Sequence, residues 1–238
     1  MNLYDDLIDG CLQLVENMPK ASRFKPRQLE PWECSDSPQI ILKSDMAYEL
    51  GGGSLPAVSM LAVCSHQEWE DEIMVIGDDL PDIGSNAPYA RIALLAVDET
   101  FEEDQSEASR VMRSIEATRY HLYPKGFMMR ISTAAAREPV RISRKALSEG
   151  MNFPQVGAAF IDAYHRQPKV QAVKLIFVTD RSFPYRQLMS YADTADKISR
   201  SVDSILDHLV MDCGSCGLKP VCDEIEGLRQ FHEKSQRF

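Results

Sequence analysis

The stretch Val170–Val178, VQAVKLIFV, constrains the fold more than any other part of the chain. It is long, rich in β-branched residues and bounded by Pro168 and Asp180, so it predicts a strand. A few residues later, Pro184–Val210 places Leu188, Tyr191, Ala195, Ile198, Val202, Ile205 and Leu209 at alternating steps of three and four. That spacing predicts a long helix with a narrow apolar seam. The helix runs directly into Asp212–Asp223, DCGSCGLKPVCD.

This loop holds half of the six cysteines, Cys213, Cys216 and Cys222, spaced C-x2-C-x5-C with Gly214 and Gly217 beside the first pair. Thiolates bind a metal well when a tight turn aims several sulfurs at one centre, and glycines allow such a turn. A disulfide pair and three unrelated buried thiols are the other readings, and clustering at this spacing favours metal. Elsewhere, Cys11 falls on the apolar stripe of a helix predicted over residues 2–18 and reads as a small buried hydrophobe. Cys34 is freer of any apolar pattern and is the better distant ligand. His208, near the end of the long helix, is a further candidate, against a C-terminal cap role favoured by the helix dipole.

Composition sets the bounds. The chain has 238 residues, enough for one large domain or two small ones, with 44 % hydrophobic and 26 % charged residues, as in soluble globular proteins. A formal net charge of -10 argues against nucleic acid or an anionic membrane as a general partner. No apolar run approaches the ~20 residues that span a bilayer. Acidic residues Asp5, Asp6, Asp9 and Glu16 interrupt the first apolar stretch, so no signal peptide is expected. Clustered thiols without a secretory signal point to a reducing cytoplasm.

Between these features the chain alternates strand-like and helical signals. Ala21–Pro38, with Pro26, Pro31 and Pro38, reads as an irregular connector. Ile40–Leu42, Val58–Val63, Ile73–Ile76 and Ala90–Val97 read as strands, and Glu103–Leu122 as a helix with Ala108, Val111, Met112, Ile115 and Leu122 inward. Phe127–Ile131 and Val140–Ile142 read as further strands. Ser143 reads as the N-cap of a short helix ending at Gly150, and Phe153–His165 as another helix. Gly51–Gly53 lacks the residues of a P-loop or dinucleotide fingerprint and reads as a turn. The acidic runs Glu68–Glu72 and Asp98–Glu107 read as solvated faces. The expected fold is therefore α+β, a mixed sheet with packed helices and a cysteine-rich metal loop after the last long helix. Its parts are an N-terminal helix and connector (1–38), an α+β domain (39–210) and a cysteine-rich tail (211–238).

Arg110–Lys145 contains nine basic residues against Glu116 and Glu138, a local charge of +7, which leaves -17 on the remainder. Guanidinium forks match phosphate and carboxylate, so Arg130, Arg137, Arg141 and Arg144 are the first candidates for an anion site, coenzyme A or a nucleotide included. Pairing with acidic runs elsewhere in the chain, or an acidic protein partner, would account for the same charge.

The ordered segments MAYELGGGSLPAVSMLAV, DEIMVIGDDLPDI, YPKGFMMRIS, VRISRKALSEGMNF and VQAVKLIFVTD resemble the middle domain of acetyl-CoA synthase, the β subunit of the CO dehydrogenase/acetyl-CoA synthase complex of anaerobes. The similarity covers about residues 39–210. The resemblance implies an iron–sulfur cluster, of 4Fe–4S type, on Cys213, Cys216 and Cys222, with structural zinc as the alternative. It also implies coenzyme A as a ligand, and CO dehydrogenase/acetyl-CoA synthase or corrinoid protein components as partners. The sequence contains no Cys-Gly-Cys and no cysteine after Cys222. The expected role is therefore that of an accessory or electron-transfer component rather than a nickel catalyst. An enzyme with an open iron site, or a zinc interaction module, is the competing expectation. A three-cysteine site could also be completed across a homodimer.

Overall fold

The computed structural model describes residues 4–65, 69–98, 105–130 and 136–206. In chain order they form helix α1 (Asp5–Glu16) and strands β1 (Ala21–Phe24), β2 (Cys34–Ser35), β3 (Met46–Leu50), β4 (Ala57–Cys64), β5 (Glu72–Ile76) and β6 (Tyr89–Val97). Helix α2 (Gln105–His121) follows, then β7 (Tyr123–Pro124), β8 (Phe127–Met129) and β9 (Val140–Ser143). Helices α3 (Arg144–Ser148) and α4 (Phe153–His165), strand β10 (Val170–Val178) and helix α5 (Tyr185–Leu206) complete the order.

The main sheet runs β1-β5-β10-β6-β4, with β10 at its centre. β10 is parallel to β5 and antiparallel to β6, and β6 is parallel to β4, so the sheet is mixed. β4 and β6 are buried along their whole lengths, as expected of strands covered on both faces. α4 packs on β10 and β5, and α5 packs on β4, α2 and α1. Two small sheets, β3-β9-β8 and β2-β7, sit beside this core. The α+β class with a mixed sheet is thus the observed architecture.

Ser143 caps a helix as its sequence signal predicts, and Asn152 caps the next. Ser143 accepts from the Ala146 N–H to start α3, and Asn152 accepts from Gln155 N–H to start α4. Asp79 joins two elements: one carboxylate oxygen accepts from Leu80 N–H and from Phe153 N–H at the head of α4, both at 2.7 Å. Burial raises its pKa while those two N–H groups pull it back down.

Three local expectations are corrected. Ala21–Phe24 is not connector but the edge strand β1, paired antiparallel with β5. Its side chains are mostly exposed, so backbone pairing left no apolar signal to read. Ile40–Leu42 is not a strand. Only Ile41 is buried, while Ile40 and Leu42 are 79 % and 65 % exposed. The strand in this region is β3, paired with β9. The acidic run before β5 is not simply solvated: Asp71 accepts from the Val173 N–H and meets His165, and Glu72 pairs with Arg23 and Lys174.

The triple glycine is a turn. Gly51 and Gly53 take φ of +66° and +62°, which favour glycine, and a Cβ on Gly51 would lie 2.2 Å from that of Ala57. Arg137 holds the turn by donating to the carbonyls of Gly51, Gly53 and Leu55 at 2.9–3.1 Å.

Candidate functional site

The YARIALLAV of β6 carries one charge, Arg91, in the middle of a buried apolar strand. A guanidinium there needs a counter-charge, and Glu138 supplies it: Nη2 of Arg91 donates to both carboxylate oxygens at 2.9 and 3.0 Å. The pair is 2 % and 3 % exposed. Arg91 also donates to Met129 Sδ at 2.8 Å and lies 4.4 Å over the Phe160 ring. Arg119, on the last turn of α2, approaches Glu138 at 3.5 Å and Asp196 of α5 at 3.6 Å, and donates to the Ser59 carbonyl at 2.9 Å. Burial works against the Arg119 charge, yet Glu138, Tyr120 and Asp196 hold its pKa above the ordinary arginine value.

A cavity of about 240 Å³ opens beside this cluster. Glu138 and Met129 form part of its wall, with Phe127 and Met128 from β8. Tyr120 and His121 from the end of α2, Tyr123 and Pro124 from β7, and Pro38, Gln39 and Ile41 complete most of it. Both thioethers are held: Met129 Sδ by Arg91, and Met128 Sδ by the Ile41 N–H at 3.2 Å. The ring of His121 meets the Ala117 carbonyl at 2.8 Å through Nδ1. A carbonyl only accepts, so Nδ1 is the donor in this contact.

The candidate arginines lie close together but are engaged. Arg130 and Arg141 share a single oxygen of Glu49, Arg141 at 3.2 Å. Arg137 clamps the glycine turn, and Arg144 donates to the Met46 carbonyl at 3.3 Å. Glu33 pairs with Lys125, so several of the segment's positive charges are met by acids from elsewhere in the chain. Arg130 and Arg141 nonetheless keep one positive charge between them after Glu49 is counted.

Cys213, Cys216, Cys222 and His208 lie outside the described residues. Cys11 is buried as expected, and burial pushes its thiol pKa up to about 12. Cys34 is half-buried, its Sγ 3.6 Å from the Trp32 carbonyl. Burial raises its pKa and Arg166 partly offsets this. Among the described residues no group of three or more His, Cys, Asp or Glu is placed to hold a metal. No helix among them is long and apolar enough to cross a membrane.

Two residues of the buried cluster carry a signal in the sequence beyond the candidate sites. Arg91 is the one charge within a strand-length apolar run, and Glu138 is one of only two acids in a basic segment. The cavity itself leaves no such trace, since its walls come from three separate stretches.

Fold and site together define an α+β protein in which a mixed sheet buries an ionic cluster beside a small-molecule-sized cavity, with a cysteine-rich segment following its last described helix. The family model of the CO dehydrogenase/acetyl-CoA synthase complex beta subunit matches residues 37–183, and the chain belongs to that family. A search of curated proteins returned no match.

Proposed function

We propose that the chain is an iron–sulfur protein of anaerobic one-carbon and acetyl-CoA metabolism, an accessory or electron-transfer component rather than the nickel catalyst. The observation that carries this reading is the C-x2-C-x5-C set behind α5 in a chain of this family. Three thiolates with two adjacent glycines fit a 4Fe–4S cluster, which would supply one-electron chemistry, with Cys213, Cys216 and Cys222 as its ligands. The remaining position falls to Cys34, His208, a second copy of the chain or an exogenous ligand. CO dehydrogenase/acetyl-CoA synthase components, or a corrinoid protein, are the partners that family membership suggests, in the cytoplasm.

Anaerobic purification with metal analysis and an absorption spectrum tests this. Iron and sulfide with a broad band near ~400 nm, from thiolate-to-iron charge transfer, are expected. Stoichiometric zinc without that band would replace the redox reading with a structural zinc module.

A second reading draws on the arginine face. Arg130 and Arg141 share one carboxylate oxygen, and Arg144 stands nearby on the adjoining helix α3, so net positive charge remains for a phosphate or carboxylate. Coenzyme A bound there, in a chain that also holds an iron with an open position, would make the chain an enzyme. Calorimetry with coenzyme A at low salt should give heat that falls in Arg130→Ala with Arg141→Ala. No heat would remove the anion site.

A further inference from the structure

Among the described residues three large apolar side chains are exposed, Ile40, Leu42 and Tyr120, by 79 %, 65 % and 42 %. All three belong to one place, the 240 Å³ cavity. Tyr120 is part of its wall, Ile40 sits between the wall residues Gln39 and Ile41, and Leu42 follows Ile41. The wall they border is itself mostly apolar, with Phe127, Met128 and Pro124. Scattered apolar residues are ordinary on a surface, but their gathering around one apolar opening marks an interaction site. A cavity of about 150 Å³ admits benzene, so this one takes a single aromatic side chain. A free small molecule confined to the cavity would leave Ile40 and Leu42 in water, whereas a polypeptide laid across the opening covers them too.

Charge selects among the occupants. Most of the wall, from Tyr120 to Met129 together with Glu138, belongs to the segment 110–145, which carries +7. Lys43, exposed beside Leu42, adds to that charge. The acids nearest in sequence to the Pro38 side are Asp36 and Glu33, and Glu33 is already paired with Lys125. Glu138 is spent on Arg91 and Arg119. A second copy set on the same face by two-fold symmetry would bring basic segment against basic segment. An anionic bilayer would meet the -17 carried by the rest of the chain. An acidic polypeptide segment meets neither repulsion.

We infer that the cavity and its rim dock an acidic segment of a partner protein, with one aromatic side chain filling the cavity and acids on either side of it facing the basic segment. Ile40, Leu42 and Tyr120 then form the apolar surround that keeps water from the anchor. The site needs neither an iron–sulfur cluster nor coenzyme A, so it stands or falls independently of the proposed function.

Three end-capped peptides test it on the full-length protein by ligand-observed NMR and calorimetry at low salt: Asp-Glu-Phe-Glu-Asp, Asp-Glu-Ala-Glu-Asp and Lys-Lys-Phe-Lys-Lys. The acidic phenylalanine peptide should bind, and the other two roughly tenfold more weakly or worse, one having lost the anchor and the other having the wrong charge. Binding of the first should weaken as salt rises. Gln39→Trp places a ring at an exposed position on the cavity wall, and Ile40→Asp with Leu42→Asp puts acid on the rim. Both variants should lose affinity several-fold with an unchanged circular dichroism spectrum. Failure of the acidic phenylalanine peptide to bind, equal binding of the lysine peptide, or undiminished binding to both variants would each overturn the assignment. So would a dimer in sedimentation velocity, or adsorption to phosphatidylglycerol vesicles, that Ile40→Asp with Leu42→Asp abolishes, since a second copy or a lipid surface would then be the occupant.

Discussion

At the scale of single residues, the buried ionic cluster is where substitution is most informative. Removing one partner of a buried pair leaves the other charged and desolvated, which costs far more than the pair contributes. Glu138→Gln leaves Arg91 and Arg119 short of their shared counter-charge, and should lower unfolding free energy by roughly 3 kcal/mol or more in urea titrations. A loss under about 1 kcal/mol would mean that the cluster relaxes or hydrates readily. The cysteines sort by environment in the same way. With its pKa near 12, Cys11 is ionised in roughly one molecule in ten thousand at about pH 8, so it should resist iodoacetamide in the native protein. Mass spectrometry of the labelled protein reads this directly, and labelling at the rate of an exposed thiol would contradict the packing of α1.

At the scale of elements, short polar contacts fix where strands and helices meet. Asp79 satisfies N–H groups on both the Leu80–Asp82 turn and α4, so Asp79→Ala should cost about 2 kcal/mol, measured by thermal or urea unfolding. The Gly126 turn between β7 and β8 is equally specific. Its φ is +78° and an added Cβ would fall 2.2 Å from that of Ala146, so Gly126→Ala combines backbone strain with a clash against α3. A reduced melting temperature is expected, read by thermal unfolding of Gly126→Ala beside the parent protein. The elements are well marked in sequence where a long apolar run is buried, as in β10 and α4, or where apolar residues recur on one face, as in α2. β1 escaped notice because an exposed edge strand is held by its backbone, and β3 because its neighbour Ile40–Leu42 looks more apolar than it.

At the scale of the whole molecule, pH stability follows from buried groups that ionise only with difficulty. Cys11 is raised from 9.0, and Tyr48, Tyr89, Tyr164 and Tyr185 are raised from 10.0, each by burial foremost. The folded state keeps these protons where the unfolded chain releases them. Their contribution is therefore complete below about pH 9 and is lost as pH rises above it, at about 1.4 kcal/mol per group for each pH step inside its window. Urea midpoints should fall between about pH 8 and about pH 10.5, and a flat profile would contradict the burial of these groups. The cysteine loop is a separate question at this scale. Cys213→Ser should abolish iron uptake while leaving the far-ultraviolet circular dichroism of the α+β core unchanged, and full iron retention would rule Cys213 out as a ligand.

The sequence alone determined whatever depends on local periodicity and turn chemistry. That covers the strand Val170–Val178, the helices with one apolar face, the cap at Ser143, the glycine turn, the cysteine spacing and the family resemblance. Tertiary structure decided what depends on distant residues meeting. It set the strand order that places β10 between β5 and β6, and brought Arg91 of β6, Arg119 of α2 and Glu138 of the loop before β9 to one point. It also spent much of the Arg110–Lys145 charge on acids such as Glu33, Glu49 and Asp196. The physical reason is the same in each case. Periodicity tells which face of an element is buried, whereas the partner of a buried charge is chosen only when the chain folds back on itself.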